Sequence, residues 1–107
     1  MGKTLVPRES ARRDVDQAMD HYTDEAGLDV ALKFSHALDA VYNAIIDRPA
    51  IGSPLHGHDL KVKGLRSRAM KKFPYLVFYV EHETRIEVWR VLHARRDIPA
   101  WLQEEKV

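Results

Sequence analysis

Imidazoles and cations are the side chains of this chain with chemistry to offer. Its 107 residues hold six histidines and 17 Lys/Arg against 16 Asp/Glu, and no cysteine. Without a thiol there is no disulfide, no thiolate metal site and no cysteine nucleophile. His56 and His58 flank Gly57. Two histidines make half a zinc site at best, so both are read as loop residues, and neither metal nor cofactor is expected. His93 is the imidazole placed for acid or base work, because that ring titrates near neutrality when unperturbed. Arg66, Arg68 and Arg90 are available to hold phosphate. Cutting RNA through its 2′-OH needs a base, a donor to the leaving oxygen and cations on the phosphate. A nuclease built on this chain would therefore use His93, Arg66 and Arg90.

Binding without catalysis is the other chemistry on offer. Arg66, Arg68, Lys71, Lys72, Arg95 and Arg96 crowd the second half of the chain, and Trp101 follows as a large amphipathic anchor. Residues 1–56 carry six cations against nine carboxylates, and residues 57–107 carry eleven against seven. A negatively charged partner would thus meet the second half. For any single cation, a solvated edge that discourages strand pairing is the plainer explanation. The grouping is what argues for a surface with a task. Arg13, Asp14 and Asp16 read as an ordinary charged helix face.

The elements that position these groups follow from periodicity. Lys3 to Val6 suits an edge strand, and Pro7 suits the first turn of a helix. Ala11, Val15, Ala18, Met19, Tyr22 and Ala26 recur at helical spacing between charged residues, which predicts a helix over 8–26 ended by Gly27. Leu28, Ala31, Leu32, Phe34, Leu38, Val41, Tyr42, Ile45 and Ile46 form a second stripe that Pro49 stops. Two such helices so tightly joined make an antiparallel hairpin that needs a further layer to cover its apolar side. Residues 47–64, with three glycines and two prolines, read as a long loop. After Gly64 the period falls to two, predicting strands over 65–70, 75–80 and 85–93 joined by short turns. Tyr75–Val80 is apolar on both faces and is therefore central. In the last strand strict alternation groups Ile86, Val88, Arg90 and Leu92 on one face and Glu87, Trp89, Val91 and His93 on the other. If Trp89 faces the helices, Arg90 lies on the open sheet face; otherwise it is buried and must be paired. Asp97 to Gln103 reads as a final short turn or helix.

The expectation is one α+β domain over 1–107, an N-terminal strand and a helical hairpin packed on a C-terminal antiparallel sheet. Its longest apolar run falls far short of the roughly 18 residues of a membrane span. Pro7 and Arg8 interrupt any signal-peptide core, so a cytoplasmic protein is expected.

Four stretches carry a resemblance: SARRDVDQAMDHYTDEAG, RPAIGSP, GLRSRAMKKFPYLVFYV and IEVWRVLHARRDIPAWL. Together they resemble the ParE branch of the RelE/ParE toxin superfamily from about Leu5 to Leu102. The most specific part is the strand ending Val91-Leu92-His93, followed by Arg95-Arg96-Asp97 and Trp101. The resemblance implies the toxin of a bacterial type II toxin–antitoxin pair, neutralised in a hetero-oligomer with a ParD-like antitoxin whose flexible acidic-and-apolar segment folds onto exposed grooves and the open sheet face. ParE-like toxins poison DNA gyrase by binding, whereas RelE-like members cut mRNA on the ribosome with sheet-face cations and a tyrosine near the C-terminus. No tyrosine follows Asp97 here. The gyrase reading is therefore preferred, with Arg66, Arg68, Lys71, Lys72, Arg95, Arg96 and Trp101 as the target surface. The alternatives are an mRNA endonuclease and a non-toxic relic that only binds antitoxin.

Overall fold

A computed structural model describes residues 2–96 and 98–105; Asp97, part of the C-terminal motif, lies outside them. The elements are β1 (Thr4–Pro7), α1 (Glu9–Ala26), α2 (Leu28–Asp47), a 3-10 turn (Pro49–Ile51), α3 (Leu55–Leu60), β2 (Leu65–Ala69), β3 (Tyr75–Glu81), β4 (Arg85–His93) and α4 (Ile98–Glu105). Pro7 closes β1 rather than opening α1. The four strands form one sheet in the order β1-β4-β3-β2. The last three are antiparallel as expected, and β1 adds to β4 in parallel, Thr4 opposite Arg85.

Gly27 alone joins the two long helices. It takes φ 92°, where a Cβ would be strained, and returns its N–H to Thr23 O at 3.1 Å. One face of each helix covers the sheet. Ala11, Ala18, Phe34, Leu38, Val41 and Ile45 pack on Val77, Tyr79, Ile86, Val88 and Val91. The opposite sheet face is not open. α3 and α4 cover it with Leu60, Ile98 and Leu102 against Leu65, Phe78, Val80, Trp89 and Leu92.

Strict alternation along β4 therefore fails. The register slips between Phe78 and Tyr79, whose partners are Arg90 and Val88, so Trp89 is an extra residue without a cross-strand partner. A bulge of this kind shifts the phase of the residues beyond it. Val91 joins Ile86 and Val88 beneath the helices, and Leu92 joins Trp89 beneath α4.

The 47–64 segment holds more structure than a loop. Burial raises the pKa of the Tyr79 hydroxyl, which donates to Pro49 O at 2.7 Å and accepts the Gly52 N–H at 2.9 Å. Gly52 is required there, because a Cβ would stand 2.5 Å from that hydroxyl. Ser53 then exchanges two backbone hydrogen bonds with Ser67, capping the middle of the β2 edge. α3 follows and ends on Lys61 in the left-handed conformation.

Ionic contacts fasten the far end of β4. Arg8 lies against Glu87 at 3.1 Å and donates to both the backbone and the carboxylate of Glu105, so α4 is moored to the start of α1. Burial would raise the Glu87 carboxyl, but hydrogen bonds from Arg8, His82 and Trp89 outweigh it and bring the pKa down to about 2. A carboxyl depressed on folding contributes stability above its unfolded value of 4.5 and loses it as pH falls through about 2. Thermal midpoints should therefore drop on acidification across that window, and Glu87→Gln should flatten the dependence while lowering the neutral-pH midpoint.

Candidate functional site

Three backbone links gather the predicted target residues at one end of the sheet. Tyr75, first in β3, pairs with His93, last in β4. Ala94 N–H donates to Pro74 O at 2.8 Å, and Met70 N–H to Tyr75 O at 3.0 Å. The β2–β3 turn and the segment after β4 are thereby laid side by side, with Lys71, Lys72, Arg95 and Arg96 all exposed. The turn is well held. Lys72 takes φ 67°, and the adjacent Phe73 ring sits edge-on to Phe34 at 5.3 Å and to Tyr22 at 5.1 Å. The lysines thus project from a turn plugged into the core.

Trp101 reaches the same end from α4. Its ring lies 4.7 Å from the Arg90 guanidinium and 5.2 Å from that of Arg96. Cation–π contact at both positions orients an exposed Arg96 without neutralising it. Between α1 and this end runs a cleft of about 320 Å³, with Gln17, His21, Tyr75, His93, Arg96 and Trp101 on its walls.

His93 has a restricted role there. Its Nδ1 accepts the Arg95 N–H at 3.1 Å, and its ring packs edge-on to Tyr75 at 5.2 Å. A neutral imidazole has one lone pair. That pair, on Nδ1, is engaged by the backbone here, and Nε2 is the nitrogen left as a donor.

Arg90 is not available for phosphate. It is 5% exposed, and its Nε and Nη2 both reach the Asp14 carboxylate at 2.7 Å. Asp14, read from sequence as part of a solvent face, is itself buried and also accepts the Val91 N–H at 2.9 Å. Backbone accounting explains this. β1 ends at Pro7 opposite Val88, leaving the rest of that β4 edge unpaired. The start of α1 crosses the gap, where Ser10 donates to Trp89 O and Asp14 accepts from Val91.

Arg66 and Arg68 lie elsewhere, on the outer strand β2. They pair across with Tyr79 and Val77, so they belong to the helix-side face rather than to an open face beside Arg90. Arg66 donates to Gly52 O at 2.9 Å. Beside it a second groove of about 490 Å³ runs between α3 and β2, lined by His58, Lys61, Lys63 and Arg66. Sequence reasoning missed Lys61 and Lys63; the signal for them was the absence of any carboxylate from residue 60 to residue 80. His56 is half-buried against Phe78 at 5.2 Å, apart from the exposed His58, and among the described residues no group of three His, Cys, Asp or Glu could hold a metal. Among the same residues no helix is long and apolar enough to cross a membrane.

Comparison with known proteins places this geometry. The sequence model of the ParE toxin of the type II toxin–antitoxin system parDE matches residues 5–98. A solved structure described as the chromosomal ParDE toxin–antitoxin system from P. aeruginosa superposes with a TM-score of 0.71 at 20% identity, covering 85% of this chain and 95% of that one. No curated protein sequence matches.

The buried pair makes a direct prediction for stability. Asp14→Ala leaves a desolvated guanidinium and an orphaned Val91 N–H, and should cost about 3–5 kcal/mol in urea denaturation. Asp14→Leu combined with Arg90→Met should recover part of that loss, since no buried charge remains.

Proposed function

The chain belongs to the ParE toxins of type II toxin–antitoxin systems, and on that premise we propose that it poisons DNA gyrase through the cationic end of its sheet and is neutralised by a ParD-like antitoxin. The observation that carries this reading is the projection of Lys71, Lys72, Arg95 and Arg96 from two segments tied together by backbone hydrogen bonds, with Trp101 of α4 stacked against Arg96. A poison that acts by binding needs such a surface and no catalytic set. The gyrase–DNA complex is anionic, so clustered cations raise the encounter rate and Trp101 adds an anchor.

The antitoxin reading has its own support. Leu28 and Leu32 stand one turn apart on α2, 61% and 46% exposed. The sheet faces are both covered by this chain's own helices, so these leucines offer an apolar foothold for the flexible acidic-and-apolar segment of an antitoxin, which would order on binding.

Cleavage of mRNA is the second reading. The cleft that brings His21, His93 and Arg96 together favours it. Against it stand the engaged lone pair of His93, the burial of Arg90 and the lack of a tyrosine after residue 97.

Purified toxin in a gyrase supercoiling and cleavage assay, with cell-free translation in parallel, separates the readings. Arg95→Glu with Arg96→Glu should reduce trapped gyrase-dependent breaks about tenfold or more while antitoxin affinity changes little. His93→Ala should leave the breaks intact. Lost translation with gyrase unaffected, abolished by His93→Ala, would replace the gyrase reading with the nuclease.

A further inference from the structure

The outer strand β2 anchors a second concentration of charge, which shares only Lys71 and Lys72 with the sheet-end surface. From Leu60 to Val80 the chain holds six cations and no carboxylate. The strand order makes β2 the outer strand, its backbone met midway by Ser53. Lys61 and Lys63 stand before it, Arg66 and Arg68 along it, and Lys71 and Lys72 in the turn after it. Lys61, Lys63, Lys71 and Lys72 are exposed, Arg66 and Arg68 half-exposed. Among the described residues none of the six forms an ion pair. Arg66 commits one N–H to Gly52 O, and a guanidinium has others to give.

The strand fixes the middle of this group. Residues two apart on a strand share a side about 6.8 Å apart, which fixes the spacing of Arg66 and Arg68. The strand itself spans roughly 17 Å, and the lysine pairs stand in the turns that lead into it from α3 and out of it toward β3. At its start the groove between α3 and β2 is floored by backbone: Gly57 has no room for a side chain, because a Cβ would meet Leu65 O at 2.6 Å.

We propose that this ridge grips the phosphate backbone of duplex DNA without reading its sequence. Six cations without an ion pair, gathered about one outer strand, suit a polymer that carries one negative charge per about 1.7 Å of axis. Between Leu60 and Lys72 there is no Asn or Gln to read adenine and no Asp or Glu to accept from cytosine. Single strands are held by stacking platforms, and Phe73, the residue after Lys72, is turned into the core. This deepens the gyrase reading and rests on it for its biological setting: the toxin would hold the enzyme's DNA by the β2 edge while the sheet end meets the enzyme.

The test is fluorescence anisotropy of the full chain with a labelled duplex of mixed sequence, without gyrase, over about 50–200 mM salt. The logarithm of affinity should fall with the logarithm of salt at about 0.9 per phosphate engaged, a slope near −4 to −5. The variant Lys61→Asn, Lys63→Gln, Lys71→Gln, Lys72→Gln alters only exposed side chains, and asparagine tolerates the left-handed backbone at position 61. It should make the slope shallower by about three and weaken binding at low salt more than tenfold. Lys63→Glu alone should weaken it in the same direction, giving a second readout should the quadruple variant fail to fold by circular dichroism. An unchanged slope in a folded variant, or no binding by the parent chain at low salt, overturns the proposal. Tighter binding of single-stranded RNA, or equal binding of poly-glutamate, also overturns it and reassigns the ridge to that partner. Gyrase poisoning by a chain that binds no DNA would overturn this inference alone, whereas DNA binding without gyrase poisoning would overturn the gyrase reading alone.

Discussion

One buried ion pair settles how the halves of this fold meet. Asp14 comes from the helical half and Arg90 from the last strand, and their two bonds of 2.7 Å form where little water reaches. Desolvating both groups is costly, and the cost is offset only when geometry is good and the remaining polar atoms are satisfied. Both conditions hold here. The carboxylate also takes the Val91 N–H, and the guanidinium lies against the Trp101 ring. α1 therefore has one permitted position along β4. A sliding helix would strand a charge, and so the helical hairpin, the sheet and α4 share a common reference point.

The Trp89 bulge is the second half of that constraint. It moves Val91 under the helices and Leu92 under α4, and lets Arg90 reach across the end of the short β1 toward Asp14. Both faces of β3 and β4 are buried as a result. The chain supplies its own cover for each, and its exposed chemistry is displaced to the sheet's perimeter: the end where His93 and Arg96 lie, and the β2 edge.

Much of this was legible in the residues. The helical stripes, the stop at Gly27 and Pro49, the drop to period two after Gly64 and the central place of Tyr75–Val80 are local patterns, and local patterns place elements well. Four particulars were not legible. A register slip at Trp89 leaves no mark in the sequence, because each residue there is compatible with either face. Asp14 on a helix rich in Asp and Arg looks like its neighbours, and only the edge left open by a short β1 sets it apart. The short α3 hides among glycines that break its periodicity. Lys61 and Lys63 are masked by the glycines and histidines around them, which mark a loop and say nothing of the groove it lines. The sheet-end cations, by contrast, sit in a turn and after a strand, where long charged side chains must point outward.

The parallel pairing of β1 with β4 bears on when the molecule exists as such. Thr4 finds its partner in Arg85, and Arg8 reaches Glu105 across 97 positions of chain. Contacts so remote in sequence must await the loop closure of nearly everything between, and they slow folding relative to local ones. On the ribosome the hairpin of α1 and α2 can form early, but the first strand has no sheet to join until β4 has emerged. The finished surface thus waits until β4 and α4 have been made and β1 has taken its place beside β4.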